Sequence, residues 1–122
     1  MPNLFDPLRI IDAGPHEFRR AVQRLMLQNK FDVFSVDGPG DAGGDLFCER
    51  AGERWIIQTK WKKSNPVSPS AISEVLNARI QYDAHHALIV TNRDFSNSLK
   101  QKVESLRNDG INIDLWTGSN LK

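Results

Sequence analysis

Apolar residues recur three or four positions apart in three segments of the chain, which predicts three amphipathic helices. The first spans residues 14–29 and the second begins near Ser68. The third is capped by Asp94 or Ser96 and ends at Gly110. The residues on the apolar stripes are Phe18, Val22, Leu25 and Met26 in the first helix, Ile72, Val75, Leu76 and Ile80 in the second, and Phe95, Leu99, Val103 and Leu106 in the third.

Strands are predicted where apolar residues alternate with polar ones or form short continuous runs. A tight turn at Gly52 joins two of these strands, which indicates an antiparallel hairpin, and a glycine-rich loop over residues 37–44 precedes the hairpin. One segment is apolar throughout, as expected for a central strand covered on both faces. The predicted strands are residues 31–36, 45–50, 54–60, the apolar run 87–90, and a last strand in which Ile111, Ile113 and Leu115 alternate.

The elements follow one another as helix, three strands, helix, strand, helix and strand. This order (α-β-β-β-α-β-α-β) predicts an α/β fold, with a mixed sheet flanked by helices on both sides. The chain of 122 residues has the size of a single domain, over residues 1–122. Residues 119–122 resemble the start of a further helix, which is the pattern of a domain excised from a longer multidomain protein and equally that of a frayed tail.

The composition is that of an ordinary globular protein. Hydrophobic residues make up 39% and charged residues 25%, which excludes disordered and membrane-embedded classes. No apolar run approaches the roughly 18 residues of a transmembrane helix, and the first residues lack signal-peptide features, so we expect a cytoplasmic protein. Because the formal net charge is only +1, any contact with a polyanion has to be local. The single cysteine, Cys48, is expected to be a core residue rather than a nucleophile.

Polar residues end the third strand, which is otherwise apolar. Residues alternate between faces along a strand, so Gln58 and Lys60 share one face and Thr59 lies on the other. The tight turn brings Asp45, at the start of the second strand, level with this end of the third. Taken alone, these are also the residues of an exposed strand end. Their conjunction with Glu17, in the first turn of the first helix, favours a site that holds a divalent cation against a phosphate.

The loop before the second strand also contains the pattern G-x-G-x-x-G, at residues 38–43. In a dinucleotide-binding fold this pattern follows a strand and opens a helix, whose N-terminus receives the pyrophosphate. Here the pattern leads into another strand, and Pro39 removes one backbone amide. The loop is therefore interpreted as flexible access to Asp45 and not as a dinucleotide site.

The order and spacing of these residues resemble the catalytic core of Mrr-like restriction endonucleases, a branch of the PD-(D/E)XK nuclease superfamily. The pattern is Asp41-x-Gly43-x-Asp45 followed by Gln58-x-Lys60. Gly44 stands where the superfamily's name has proline, and Gln58 replaces the second acid, a glutamine for which the Mrr-like branch is known. The resemblance extends to a helical glutamate, a strand-to-helix junction and a closing strand, in His16-Glu17-Phe18, Leu88-Ile89-Val90-Thr91 with Phe95-Ser96, and Ile113-Asp114-Leu115-Trp116.

The resemblance implies a restriction-endonuclease-like fold and metal-dependent hydrolysis of DNA phosphodiester bonds that leaves a 5′-phosphate. Asp45, Gln58 and the Thr59 carbonyl would bind Mg²⁺, with Mn²⁺ as a substitute. Glu17 would supply the second negative charge, directly or through water. Lys60 would orient the attacking water and stabilise charge on the phosphate in the transition state.

Trp61, Lys62 and Lys63 continue directly out of this site and form a cluster suited to nucleic-acid contacts, although the same residues are typical of a solvated loop. The expected substrate is double-stranded DNA, and cleavage of both strands by a single-site domain favours a homodimer. An attached helicase, ATPase or sensor domain would fit a restriction, defence or DNA-processing role. The residues leave open three alternatives: a catalytically inactive nucleic-acid-binding module on the same fold, a junction-resolving or RNA-directed relative, and a soluble domain with no nucleic-acid role.

Overall fold

The computed structural model describes the backbone of residues 7–36 and 45–117, with the side chains in these ranges except those of residues 7–13, 35–36 and 45. The predicted loop 37–44 and the tail 119–122 lie outside the described residues. None of the helices in the described ranges has both the length and the apolar character needed to cross a bilayer. The elements confirm the predicted order and are α1 (Pro7–Gln28), β1 (Asp32–Val36), β2 (Asp45–Arg50), β3 (Glu53–Lys60), α2 (Ser70–Gln81), β4 (His86–Thr91), α3 (Asn97–Asn108) and β5 (Ile113–Trp116).

The strands form one mixed sheet in the order β1-β2-β3-β4-β5. β1–β2 and β2–β3 pair in antiparallel fashion, whereas β3–β4 and β4–β5 are parallel. The predicted hairpin joins β2 to β3 at Ala51 and Gly52, whose φ angles of 53° and 80° are the left-handed conformation that such two-residue turns require. Parallel neighbours need crossover connections, and α2 and α3 provide them.

Helices cover both faces of the sheet, as predicted. On one face, α1 packs through residues such as Phe18 and Val22 against the side chain of Ile57 in β3. On the other face, α2 and α3 pack against Ile56 of β3 and Ile89 of β4. Two successive crossovers of the usual right hand that move in the same direction along a sheet lie on one face, which explains why α2 and α3 share a face. β4 is buried on both sides, as its continuous apolar run predicted.

α1 is longer than predicted and is broken at Gly14, which has φ 86° and ψ 179°. The part that packs on the sheet starts again at Pro15, a residue whose fixed φ suits a first helical position. The prediction of a helix over residues 14–29 therefore corresponds to the segment after the break. α3 has the predicted termini, because Ser96 Oγ accepts a hydrogen bond from the backbone N–H of Leu99 at 3.2 Å and Gly110 follows the helix with φ 87°.

The prediction that Ile80 of α2 faces inward is wrong, since this residue is 75% exposed. Each residue of a helix turns by about 100°, so Ile80 lies about 140° around the helix from the buried Val75. The buried stripe ends instead at Ala78. Its members are Ala71, Ile72, Val75 and Ala78.

Candidate active site

The buried polar residues of the described ranges gather at one end of the sheet. Gln58 and Thr59 lie at the carboxyl end of β3, and Thr91 and Asn92 lie at the carboxyl end of the adjacent β4. Burial of polar groups is costly unless they are hydrogen-bonded or bind a ligand. Because ligands of open α/β sheets bind beyond the carboxyl ends of parallel strands, this end of the sheet is the candidate site.

The strand register brings three predicted site residues to this end. Gln58 of β3 is the pairing partner of Asp45 in β2. Paired positions occupy one face of a sheet, and Lys60 follows on the same face two residues after Gln58. The side chain of Asp45 lies outside the described residues, so its place in the site rests on this backbone position. Thr59 is on the opposite face, where it is 1% exposed.

A carboxylate that the sequence analysis did not predict completes this cluster. One oxygen of Glu74 in α2, Oε2, accepts hydrogen bonds from Gln58 Nε2 at 2.7 Å and from Lys60 Nζ at 2.5 Å. The Glu74 side chain is 48% exposed and that of Lys60 is 27% exposed, so the ion pair lies at the solvent edge of the site. The sequence carries no signal that separates Glu74 from the other polar residues of this helix.

The contact with Glu74 determines the orientation of the Gln58 amide. An ionised carboxylate only accepts hydrogen bonds, so the nitrogen of the amide has to face it. The amide oxygen, Oε1, is therefore turned away from Glu74. It is buried and has no hydrogen-bond partner among the residues whose side chains are described. Such a buried acceptor costs about 1–3 kcal/mol, a cost that a bound cation would offset.

Glu17 lies on a helix that packs on the face of the sheet opposite Gln58. Its neighbour Phe18 is fully buried beneath α1, and the Glu17 side chain is 50% exposed and forms an ion pair with Arg20 at 3.2 Å. Asn29, directly after α1, accepts a hydrogen bond at its backbone carbonyl from the Arg50 guanidinium at the end of β2. The C-terminus of α1 therefore lies near the turn between β2 and β3, and Glu17 lies towards the opposite end of the sheet. The structure therefore places Glu17 towards the same end of the sheet as Gln58 but on the opposite face.

The predicted nucleic-acid-binding residues follow directly after β3. Trp61 packs partly against the core beneath α1, Lys62 is half-buried and Lys63 is exposed. The loop after β4 holds their backbone, since the side chain of Asn92 binds both backbone groups of Lys62. This basic segment, residues 61–63, is therefore attached to the same end of the sheet as Gln58.

Cys48 is a core residue, as predicted. It is fully buried beneath α1, and burial raises the pKa of its thiol to about 12. A protonated, inaccessible thiol is a poor nucleophile and a poor metal ligand. Within the described ranges, no three His, Cys, Asp or Glu side chains are grouped so that they could hold a metal ion. Any cation bound at this end of the sheet would therefore also need Asp45 or neutral oxygen atoms.

A sequence model of a known protein family matches most of the chain. The model of the Mrr catalytic domain, described as a restriction endonuclease, matches residues 11–122. The chain belongs to the Mrr restriction endonuclease family. This membership confirms the resemblance to Mrr-like catalytic domains that the spacing of Asp45, Gln58 and Lys60 suggested.

The Mrr-type domain also resembles a solved structure. The crystal structure of a protein of unknown function, AF1548, matches with a TM-score of 0.66 and 21% sequence identity, over 83% of this chain. The chain spans 56% of the length of that protein. At this identity the likeness concerns the fold alone. A comparison with curated proteins finds no match.

As a member of the Mrr family, the chain is a restriction-endonuclease-like domain. The described part of the site combines a buried Gln58 oxygen without a partner among the described residues, the ammonium of Lys60, and a carboxylate, Glu74, that contacts Lys60 and the amide nitrogen of Gln58.

Proposed function

We propose that this domain is a metal-dependent DNA endonuclease that hydrolyses phosphodiester bonds at the Gln58–Lys60 end of the sheet. The observation that carries the proposal is the buried Gln58 Oε1, which lacks a hydrogen-bond partner among the described residues and shares a strand face with Lys60. Membership of the Mrr family supplies the class of reaction. In a larger context, the domain would be the cleavage module of a restriction, defence or DNA-processing protein.

The donor set fits a hard divalent cation. Nucleases of this family are typically dependent on a divalent metal. Asp45, Gln58 Oε1 and the Thr59 carbonyl would supply oxygen ligands, which Mg²⁺ prefers and Mn²⁺ accepts. Mg²⁺ keeps several waters and takes only one or two carboxylates from a protein, so a neutral glutamine oxygen beside one aspartate is an adequate set. When bound, the cation would polarise the scissile phosphate and lower the pKa of the attacking water.

The side chains of the chain itself position the reactants. Glu74 holds the Gln58 amide so that its oxygen is available, and Lys60 lies against the same carboxylate. The Lys60 ammonium would orient the water and stabilise the negative charge that develops on the phosphate. The water would lose a proton to the solvent as its oxygen bonds to phosphorus, while the bond from phosphorus to the 3′ oxygen breaks and the leaving oxygen takes a proton from the solvent. The products are a 5′-phosphate and a 3′-hydroxyl.

Two residues are candidates for the second negative charge. Glu17 is the candidate from the family pattern, and its place on the α1 side of the sheet favours an action through water. Glu74 is the candidate from the geometry, because it touches both Gln58 and Lys60. Direct contact favours Glu74 as the group that sets the charge of the site.

We further propose that Lys62, Lys63 and the exposed part of Trp61 contact the nucleic acid. Half to two-thirds of protein–DNA hydrogen bonds go to phosphates and sugars, and lysine is a typical donor. A single site of this kind cuts one strand, so two copies would act together on double-stranded DNA.

A plasmid-cleavage assay with Mg²⁺ or Mn²⁺ tests the proposed function. We expect the native chain to nick supercoiled plasmid only when metal is present, and EDTA to stop the reaction. Asp45→Ala and Lys60→Ala should each lower the rate by at least about 100-fold, the size of effect expected for a group that stabilises transition-state charge. Gln101→Ala, at an exposed position of α3, is the control and should leave the rate unchanged.

Thermal unfolding gives a second readout that does not depend on cleavage. Mg²⁺ at about 100 times its dissociation constant should stabilise the native chain by about 2.7 kcal/mol, and this stabilisation should be lost in Asp45→Ala. Cleavage that survives in both Asp45→Ala and Lys60→Ala would place the chemistry elsewhere. DNA binding without metal-dependent nicking would instead identify an inactive binding module.

A further inference from the structure

Thr91, the last residue of β4, and the two residues after it hold the backbone of residues 60–63 through their side chains. Thr91 Oγ1 donates to the carbonyl oxygen of Lys60 at 2.7 Å. The next residue, Asn92, binds Lys62, and Arg93 donates from its guanidinium to the carbonyl oxygens of Lys62 and Lys63. β3 ends at Lys60, so these side chains replace the strand pairing that the segment no longer has.

Asn92 makes the most complete of these contacts. Its Oδ1 accepts from the backbone N–H of Lys62 at 2.7 Å, and its Nδ2 donates to the backbone carbonyl of the same residue at 2.9 Å. Both backbone groups of Lys62 are thereby satisfied by one amide. Asn92 is only 7% exposed, so water competes little for these hydrogen bonds.

The chain is attached to the loop after β4 a second time, at Val67, four residues after the basic segment. The backbone N–H of Val67 donates to the Asp94 carbonyl at 2.9 Å, and the backbone N–H of Ser96 donates to the Val67 carbonyl at 3.0 Å. Residues 60–67 are therefore fixed at both ends to the loop 91–96, and the residues between the two attachments, 63–66, are exposed. We refer to residues 60–67, which are anchored at both ends, as the ledge at the edge of the site.

Lys60 at the start of the ledge pairs with Glu74, but the other two lysines of the ledge are not neutralised by the described part of the chain. Neither Lys62 nor Lys63 has an ion-pair partner among the described residues. The nearby carboxylate of Asp94 pairs with Lys100 at 3.3 Å, and the backbone N–H of Phe95 lowers its pKa. Two ammonium groups on a fixed backbone suit phosphate oxygens, and less ordering is required when they bind.

We propose that Asn92 is a positioning residue that holds Lys62, and with it Lys63, for contact with the phosphates of the substrate. The proposal rests on the proposed function, because it assigns the nucleic-acid contact of the same site. Asn92 acts through the backbone of the ledge and not on the atoms that react. Its loss should therefore weaken binding without slowing the chemical step.

The test compares DNA affinity and its salt dependence among variants. Affinity is measured by fluorescence anisotropy with a labelled duplex in EDTA, where cleavage does not occur, between about 50 and 200 mM salt. Lys62→Ala should lower the salt slope by about one unit and the affinity by about tenfold. Asn92→Ala should reproduce a part of both effects. Asn112→Ala, which removes an amide that donates to a backbone carbonyl near the start of β4, is the matched control and should change neither.

The deciding comparison uses a background without the two lysines. If Asn92 acts through the ledge lysines, adding Asn92→Ala to Lys62→Ala/Lys63→Ala changes affinity less than about twofold, whereas independent effects would add. Additive losses would overturn the proposal. So would an Asn92→Ala variant with native affinity and a reduced single-turnover rate at saturating DNA.

Thermal unfolding of each variant shows whether it is folded. If Asn92→Ala does not fold, Asn92→Ser provides the same comparison, because it keeps a small polar group but cannot reach both backbone atoms of Lys62. Native protein that neither binds nor cleaves DNA would refute the proposed function together with this inference. Native protein that cleaves DNA while Asn92→Ala and Asn92→Ser keep full affinity would refute the inference alone.

Discussion

The side-chain nitrogen of Gln58 lies 2.7 Å from Glu74 Oε2, across 16 positions of the chain. Gln58 belongs to a strand and Glu74 to the helix that follows it. Since a carboxylate cannot donate, this contact keeps the Gln58 oxygen free of Glu74 and directs it elsewhere in the site. Gln58, the neutral residue that replaces the second acid of the superfamily pattern, is thus in direct contact with the carboxylate of Glu74.

Glu74→Gln tests this relationship while keeping the size of the side chain. We expect metal affinity or the cleavage rate to fall by about 10- to 100-fold, as for other residues that orient metal ligands. The reason is that the Gln58 amide can then rotate and Lys60 loses its ion pair. Metal titrations of single-turnover cleavage measure the effect. Asn77→Ala, at an exposed position of the same helix, should behave as the native chain, and an unchanged rate in Glu74→Gln would remove Glu74 from the site.

Glu17→Gln should weaken the metal dependence less than Glu74→Gln does. Glu17 is half exposed, pairs with Arg20 and lies on the helix that covers the other face of the sheet. The same metal titration compares the two variants, and Arg20→Ala reports any effect of the ion pair alone. A larger loss in Glu17→Gln would assign the second negative charge to α1, as the family pattern suggests.

Gln58→Leu should separate stability from activity. The substitution removes a buried oxygen that lacks a partner among the described residues, which favours folding, and also the Gln58 hydrogen bond to Glu74, which opposes it. The two effects are each about 1–3 kcal/mol, so we expect the free energy of unfolding to change by less than about 2 kcal/mol. Cleavage should be lost. Urea denaturation and the plasmid assay measure the two quantities, and Gln81→Leu, at an exposed position, should alter neither. A fall in stability of more than about 2 kcal/mol would mean that the oxygen is satisfied in the native protein.

Cys48 should influence stability at alkaline pH but not cleavage. The thiol has an ordinary pKa of 9.0, and burial raises it to about 12 in the folded protein. The unfolded chain therefore loses this proton first, so the contribution is complete below pH 9.0 and is lost as the pH rises to about 12. Urea denaturation from pH 8 upward should show a shallower decline in Cys48→Ala, which should cleave plasmid at the native rate. If the stability of the native protein and of Cys48→Ala declined equally with pH, the thiol would have its ordinary pKa in the folded state.

Much of the fold could be predicted because it depends on local periodicity. The alternation along β3 placed Gln58 and Lys60 on one face, and the turn residues Ala51 and Gly52 predicted the pairing that brings Asp45 opposite Gln58. The error at Ile80 arose because several apolar stripes can be drawn on one short helix, and only packing against the sheet selects among them.

The sequence by itself determined the order of elements, the family and the residues at the ends of β2 and β3, since backbone geometry fixes which neighbours share a face. Only the tertiary structure decided which carboxylate meets them. Helix-to-sheet packing is a long-range choice, set by the hand of the crossovers and the burial of apolar stripes. That choice placed Glu74 against Gln58 and Lys60, and it placed Glu17 behind the opposite face.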